Sequence, residues 1–241
     1  MSEIQERKNK AVPTISVPSI REYEINSSDE QLVSLRDKGL IVKSQYNQQG
    51  IPGSYPDCYA RETVADMLVK AQHSLEGSGY SLVIWDAYRP ICIQQRLWNF
   101  YRQGIKNNNP GLGDVELDFK TSFFVSKPSY DVKHPSLHNT GGAADLTLCD
   151  ENGVYLDMGT KFDEFSGKSW TNHFEEIEQD DIVRDNRRLL YNTMIEAGFT
   201  NLPSEWWHYD YGDKFWAYFT ENTALYEGVI DMDFPDRFPL R

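Results

Sequence analysis

Basic residues are scarce in this sequence. Its 241 residues include 24 Lys+Arg against 37 Asp+Glu, a formal charge of −13. Phosphate backbones and anionic lipid surfaces are gripped by basic patches, so this deficit argues against nucleic-acid and membrane partners. A small ligand, neutral or zwitterionic, suits the balance better. Long apolar runs are also missing: nowhere do about 18 consecutive apolar residues occur, the length needed to cross a bilayer. Cysteine is rare and odd in number, with Cys58, Cys92 and Cys149 far apart. That pattern suits reduced thiols better than a disulfide framework. The opening segment, MSEIQERKNK, has no apolar stretch of the secretory kind, and the expected location is the cytoplasm. Disorder is excluded by what is present, since 39% of residues are hydrophobic and 13% aromatic.

Residues 1–20 are polar, carry Pro13 and Pro18, and show no periodicity, so they are expected to form a flexible arm before a domain spanning 21–241. In Ala60–Glu76, Val64, Met67, Leu68, Ala71 and Leu75 recur at helical spacing, and Gly77 and Gly79 supply the stop. Tyr80–Trp85 reads as a strand. Pro90 then opens a second helix, expected to run to Gly104. The dipeptides of 106–113 mark a loop. Strands are expected near Ser122–Val125, Ala143–Leu148 and Glu205–Tyr211, and a third helix over Asp181–Ala197, ended by Gly198. Helices and strands are interspersed without a regular βαβ repeat. The expected fold is a single α+β domain, its helices packed on a mainly antiparallel central sheet.

Five histidines are present, and two have neighbours that suggest metal chemistry. His138 lies in Ser136-Leu-His-Asn-Thr-Gly-Gly-Ala-Ala-Asp145, and His208 in Glu205-Trp-Trp-His208. A catalytic zinc site uses three protein ligands and keeps one position open. His138, Asp145 and His208 would supply the three, with Glu205 left as a base. In a continuous strand His138 and Asp145 would face opposite sides, so they converge only if Gly141-Gly142 turns the chain. By the same reasoning Glu205 belongs at the entrance to its strand, after Pro203-Ser204.

Each of these residues also has a plainer reading. His138 reads equally as a loop residue bonded to backbone, and Glu205 as a solvated acid. Asp145 lies in an apolar run, where a carboxylate is costly unless paired or metal-bound. Trp206, Trp207 and Tyr209 read as core. His134, four residues before His138, is a lesser ligand candidate opposed by Pro135. Arg89 is either the ion-pair partner of Asp86 or a fixed cation for a developing oxyanion.

The two stretches Ser136-x-His138-x-x-Gly141-x-Ala143-x-Asp145 and Glu205-x-x-His208 together resemble the signature of the D-Ala-D-Ala dipeptidases of the VanX type. Those enzymes sit in a wider zinc-peptidase group that includes VanY-type D,D-carboxypeptidases and the Hedgehog amino-terminal domain. Asp86-Ala-Tyr-Arg89-Pro90, Met158-Gly-Thr-x-Phe-Asp163 and Glu205-Trp-Trp-His208 favour the dipeptidase branch. The resemblance implies one Zn²⁺ per chain on His138, Asp145 and His208, Glu205 as acid/base, and Arg89 stabilising the transition state. It further implies Ser136 and Asp163 near the ammonium end of a zwitterionic dipeptide. The implied activity is hydrolysis of D-Ala-D-Ala to two D-alanines. A peptidoglycan carboxypeptidase or endopeptidase of the same group, and a zinc-containing binding module without turnover, are the competing readings.

Overall fold

The computed structural model describes residues 2–18, 24–176 and 181–230. Its centre is a pair of long antiparallel strands, β4 (Tyr80–Asp86) and β5 (Ala143–Asp150). Side chains alternate between faces. Leu82 and Ile84 of β4 stand with Leu146 and Leu148 of β5, and these join one hydrophobic cluster with Leu68 and Leu75, Leu189, Leu190 and Met194. Val83, Thr147 and Asp145 belong to the opposite face, where the chemistry lies. Around this pair the sheet order is β2-β4-β5-β7-β6, with β2 (Ile41–Val42), β6 (Thr200–Asn201) and β7 (His208–Asp210). Only β2–β4 is parallel, so the mixed but mainly antiparallel α+β expectation holds. A small antiparallel pair, β1 (Leu32–Ser34) and β3 (Tyr59–Arg61), lies outside the main sheet.

Helix α3 (Glu62–His73) buries Val64, Ala65, Leu68 and Ala71, the stripe that its spacing predicts. Helix α4 (Ile91–Asn108) starts directly after Pro90 but passes through Gly104 for another turn, so its end and the expected loop are displaced. One glycine costs a helix only about 1 kcal/mol, too little to stop one held by packing. Helix α6 (Asp181–Ala197) has its expected bounds among the described residues.

Two expectations need correction. Ser122–Val125 is not a strand. The short helix α5 (Asp114–Thr121) precedes it, and the segment turns back on that helix through Phe124 N to Thr121 O. Its aromatic content looked β-like, yet Phe119 and Phe123 meet at 5.0 Å, the i,i+4 contact of a helical turn. The arm is also not loose throughout, since Glu3–Asn9 form helix α1, capped by Ser2. Seven residues are too few to show periodicity, and tertiary contacts hold the turn. Arg7 is buried against Glu196 and Ser74 O, and Asn192 donates to the Arg7 and Lys10 carbonyls. Residues 19–23 of the arm and its junction lie outside the described residues, as does the end of the chain after 230. Helices α2 (Gln45–Gln48) and α7 (Lys214–Thr220) complete the element list.

Candidate metal centre and active site

Three local irregularities bring the candidate residues together. The first is in β4, where the register with β5 shifts between Ile84 and Asp86, so that Asp86 faces Asp145 across the ladder. A bulge re-aims a side chain in this way. Two carboxylates placed opposite one another repel, and Arg89, in the turn after β4, lies between them. Its guanidinium donates to Asp86 Oδ2 at 2.8 Å, to Gln94 Oε1 at 3.1 Å and to Asp145 Oδ2 at 3.4 Å. Arg89 therefore pairs with Asp86, and it also lines the cavity.

The second irregularity is the turn of 3₁₀ helix at Leu137–Thr140, closed by Gly141 in the left-handed region at φ 76°. A Cβ at Gly141 would come within 2.5 Å of Leu32, so glycine is required there. The turn swings His138 towards Asp145, as its odd spacing demanded. The third is the turn before β7. Glu205 N donates to Leu202 O and His208 N to Glu205 O, which places Glu205 at the strand entrance and begins the strand at His208. The expected strand of Glu205–Tyr211 is accordingly shorter, and Asp145 pairs directly with His208 across β5 and β7.

His138, Asp145 and His208 are buried, and each offers a ligand atom within 4.8 Å of the others. His138 Nδ1 donates to the Ala87 carbonyl at 2.8 Å, leaving Nε2 directed at Asp145 Oδ2 at 3.3 Å. His208 Nε2 meets Asp210 Oδ1 at 2.8 Å, while Nδ1 faces Asp145 Oδ1 at 3.1 Å. The outer nitrogen of each ring is thus anchored and the inner one converges on a single carboxylate. Holding the far nitrogen of a metal-binding imidazole on a carbonyl or carboxylate is what orients such ligands. Burial pushes the Asp145 carboxyl up, but the two imidazoles outweigh it and hold it well below the usual range. Burial likewise opposes charge on His208, yet Asp210 and Asp145 raise its pKa well above the ordinary value. Two imidazoles and one carboxylate, focused on a point that demands positive charge, fit a divalent cation of the zinc type.

Seven of the sequence-derived candidates line one cavity of about 70 Å³: Arg89, Ser136, His138, Asp145, Asp163, Glu205 and His208. Burial pushes Glu205 up to about 8, with Asp145 and Asp163 adding to the rise and His208 opposing it. Burial and Asp145 push Asp163 up to about 7 against Arg89. Asp163 also adopts φ 58°, uncommon for a residue with a side chain. His134 is excluded from this group, being exposed and paired with Asp131 at 2.7 Å.

Sequence reasoning missed two residues. Asp210 follows His208 by two on one strand, so both face the same side, a signal that was available. Tyr46 donates to Asp163 Oδ2 at 3.1 Å and lies under the Arg89 guanidinium at 4.9 Å. It comes from the four-residue α2, which carries no readable pattern.

A buried, acid-rich cluster of two histidines and an aspartate, facing a carboxylate and an arginine across a small cavity, is the furniture of a metal-dependent hydrolase site. Residues 53–225 match the peptidase M15 family, described as D-ala-D-ala dipeptidase, and the chain belongs to that family. It is 33% identical over 154 residues to a D-alanyl-D-alanine dipeptidase of Synechocystis, covering 58% of this chain and 62% of the relative. It is 34% identical over 155 residues to that of Escherichia coli, covering 64% and 66%. The chain thus spans a little under two thirds of the length of these two relatives. A solved VanY D,D-pentapeptidase from a vancomycin resistance cassette covers 72% of this chain and 85% of its own, at 14% identity and a TM-score of 0.44. That likeness is too loose to argue from.

Proposed function

We propose that this chain is a zinc-dependent dipeptidase that hydrolyses D-Ala-D-Ala to two D-alanines. The observation that carries this reading is the convergence of His138, Asp145 and His208, their outer nitrogens already anchored, within a cavity shared with Glu205 and Arg89. His138, Asp145 and His208 would hold one Zn²⁺ per chain. When bound, the ion supplies Lewis acidity towards water and the scissile carbonyl. Glu205, held in its cavity with a raised proton affinity, accepts the proton of the attacking water and returns it to the leaving amine. The Arg89 guanidinium, rigid on Asp86 and Gln94, offers positive charge to the oxygen that becomes negative.

Asp163 and Ser136, which line the same cavity, receive the substrate ammonium. Tyr46 holds Asp163 in place. The small cavity and the carboxylate at its amino-end wall favour a free dipeptide over a peptide extended at its N-terminus. The acidic chain and its few, widely spaced cysteines support a cytoplasmic setting for such a substrate. Among the described residues, no helix is long and apolar enough to cross a membrane.

The test is metal analysis together with D-Ala-D-Ala hydrolysis, on the wild type and Glu205→Ala. Stoichiometric zinc in both proteins and turnover only in the wild type are expected. Unchanged turnover in the variant removes Glu205 from its role. Cleavage of a stem pentapeptide but not of the free dipeptide would move the assignment to the carboxypeptidase branch. Zinc without hydrolysis of any D,D, L,D or L,L dipeptide would leave a binding module.

A further inference from the structure

Arg187, in the middle of α6, is only 2% exposed and makes no ion pair among the described residues. Other arginines of the helix behave differently, Arg184 pairing with Asp181 and Arg188 with Glu175. A buried charge is costly unless its donors are satisfied, and here the backbone satisfies them. Nε donates to the Met158 carbonyl at 2.8 Å, one terminal nitrogen to the Trp170 carbonyl at 2.6 Å and the other to the Lys168 carbonyl at 2.7 Å. The guanidinium also packs against the rings of Phe174 at 4.6 Å and Trp206 at 5.7 Å. Burial lowers its pKa to about 9, which leaves it cationic at neutral pH.

All three carbonyls belong to one stretch of chain, and they mark its two ends. Between Met158 and Lys168 lies a loop, with no helix or strand over residues 159–166, so a single guanidinium closes it at the base. The adjacent Asn186 adds a bond to the Asp157 carbonyl at 2.9 Å. The loop carries Asp163 and Phe165 into the lining of the candidate metal cavity. It also carries Phe162, whose ring packs between Tyr46 at 5.8 Å and Trp85 at 5.2 Å. That ring is part of the partition from a second cavity of about 430 Å³, which Lys161 also lines. Asp163 sits at φ 58°, a conformation that persists only where its surroundings impose it. Compact loops whose ends adjoin are frequently functional.

We infer that Arg187 is a positioning residue for substrate recognition: by clasping both ends of the loop over 159–167, it fixes Asp163 where the substrate ammonium arrives. The inference rests on the reading of Asp163 given above. The planar fork of an arginine reaches three carbonyls at once, whereas a lysine ammonium is a point charge on a flexible stem. An ammonium bound equally in the ground and transition states contributes to KM and not to kcat, so a misplaced Asp163 should be read in KM.

The test compares Arg187→Lys with wild type in the full-length chain, by two measurements. Amide hydrogen exchange over 159–167 should be at least about tenfold faster in the variant, with β4 and β5 unchanged. Hydrolysis of D-Ala-D-Ala should show KM raised at least about tenfold, kcat within about twofold of wild type, and zinc content unchanged. In an Asp163→Asn background the same substitution should add less than about twofold to KM, because a residue that acts through another loses its effect once that other is gone. Asn186→Ala should act in the same direction more weakly, and it carries the test should Arg187→Lys fail to fold. Unchanged exchange in the loop overturns the proposal whatever the chain hydrolyses. A full further loss in the Asp163→Asn background, or a loss confined to kcat, overturns it as well. Faster loop exchange in a protein that hydrolyses no D-Ala-D-Ala would instead remove the dipeptidase reading and keep the clasp.

Discussion

The two cavities on either side of Phe162 are furnished in opposite ways. On the side of His138, Asp145 and His208, the polar groups are anchored: Arg89 spans two aspartates and Gln94, and the outer nitrogens of His138 and His208 are tied to a carbonyl and to Asp210. On the other side a cavity is lined by Trp85, Tyr155, Leu156, Met158 and Trp206 together with uncharged polar residues, and the Trp206 indole N–H donates to Thr160 Oγ1. Fixed dipoles and charges act strongly only when they need not reorganise, and the first cavity is built for that. The second has no carboxylate among its described lining residues. The difference comes from the strands. Asp145 and Thr147 are two residues apart on the same face of β5, yet one meets histidines and an arginine while the other lies in the cavity lining with Trp85, Leu156 and Met158.

The contrast is sharpened first by removing the carboxylate that both imidazoles face. Asp145→Asn should abolish stoichiometric zinc retention, and with it hydrolysis, as read by elemental analysis and a D-alanine release assay. Zinc retained at one equivalent would place the ion elsewhere. Arg89→Ala should lower kcat by about 10²–10³ with zinc content unchanged, and a loss confined to KM would reduce Arg89 to a binding role.

Asp210→Asn acts one step further out. It keeps the shape but weakens the anchor of His208, so zinc affinity should fall by about 10–100-fold, measured by chelator competition. A change on the far side of the partition, such as Lys161→Gln, should leave that affinity untouched. If it falls equally, the two cavities are not separate.

The smallest effect concerns metal-free protein. Glu205 is raised to about 8 and Asp163 to about 7. Carboxyls raised in the fold bind more protons there than in the unfolded chain, so their contribution to stability falls as pH rises from the unfolded value, near 4, through these folded values. Glu205→Gln and Asp163→Asn should therefore raise the Tm of the metal-free protein at pH 8.5 and change it little at pH 4.5. Thermal scans at both values that show the same shift at each pH would remove burial of the charge as the cause.

Much of this was legible in one dimension. Where a run was long and regular, as in α3, β4, β5 and α6, period and terminal glycines located it. The candidate ligands were legible because their spacing is awkward for regular structure: seven residues with a double glycine for His138 and Asp145, three after a proline for Glu205 and His208. Short elements failed. Helix α1 and α2 have too few residues for a pattern, and the aromatics at 119–124 satisfy each other locally in a helical turn rather than a strand.

By itself, then, the sequence determined which side chains are available for chemistry, where most strands and long helices run, and that a turn must intervene within each candidate motif. Those properties follow from local sterics and periodicity. Tertiary structure alone decided that Asp86 lies across from Asp145, that Tyr46 joins Arg89 to Asp163, and that Phe162 packs between Tyr46 and Trp85. Strand register, a bulge and the packing of distant rings are long-range choices, settled by how whole surfaces fit, and no neighbouring residues in the chain encode them.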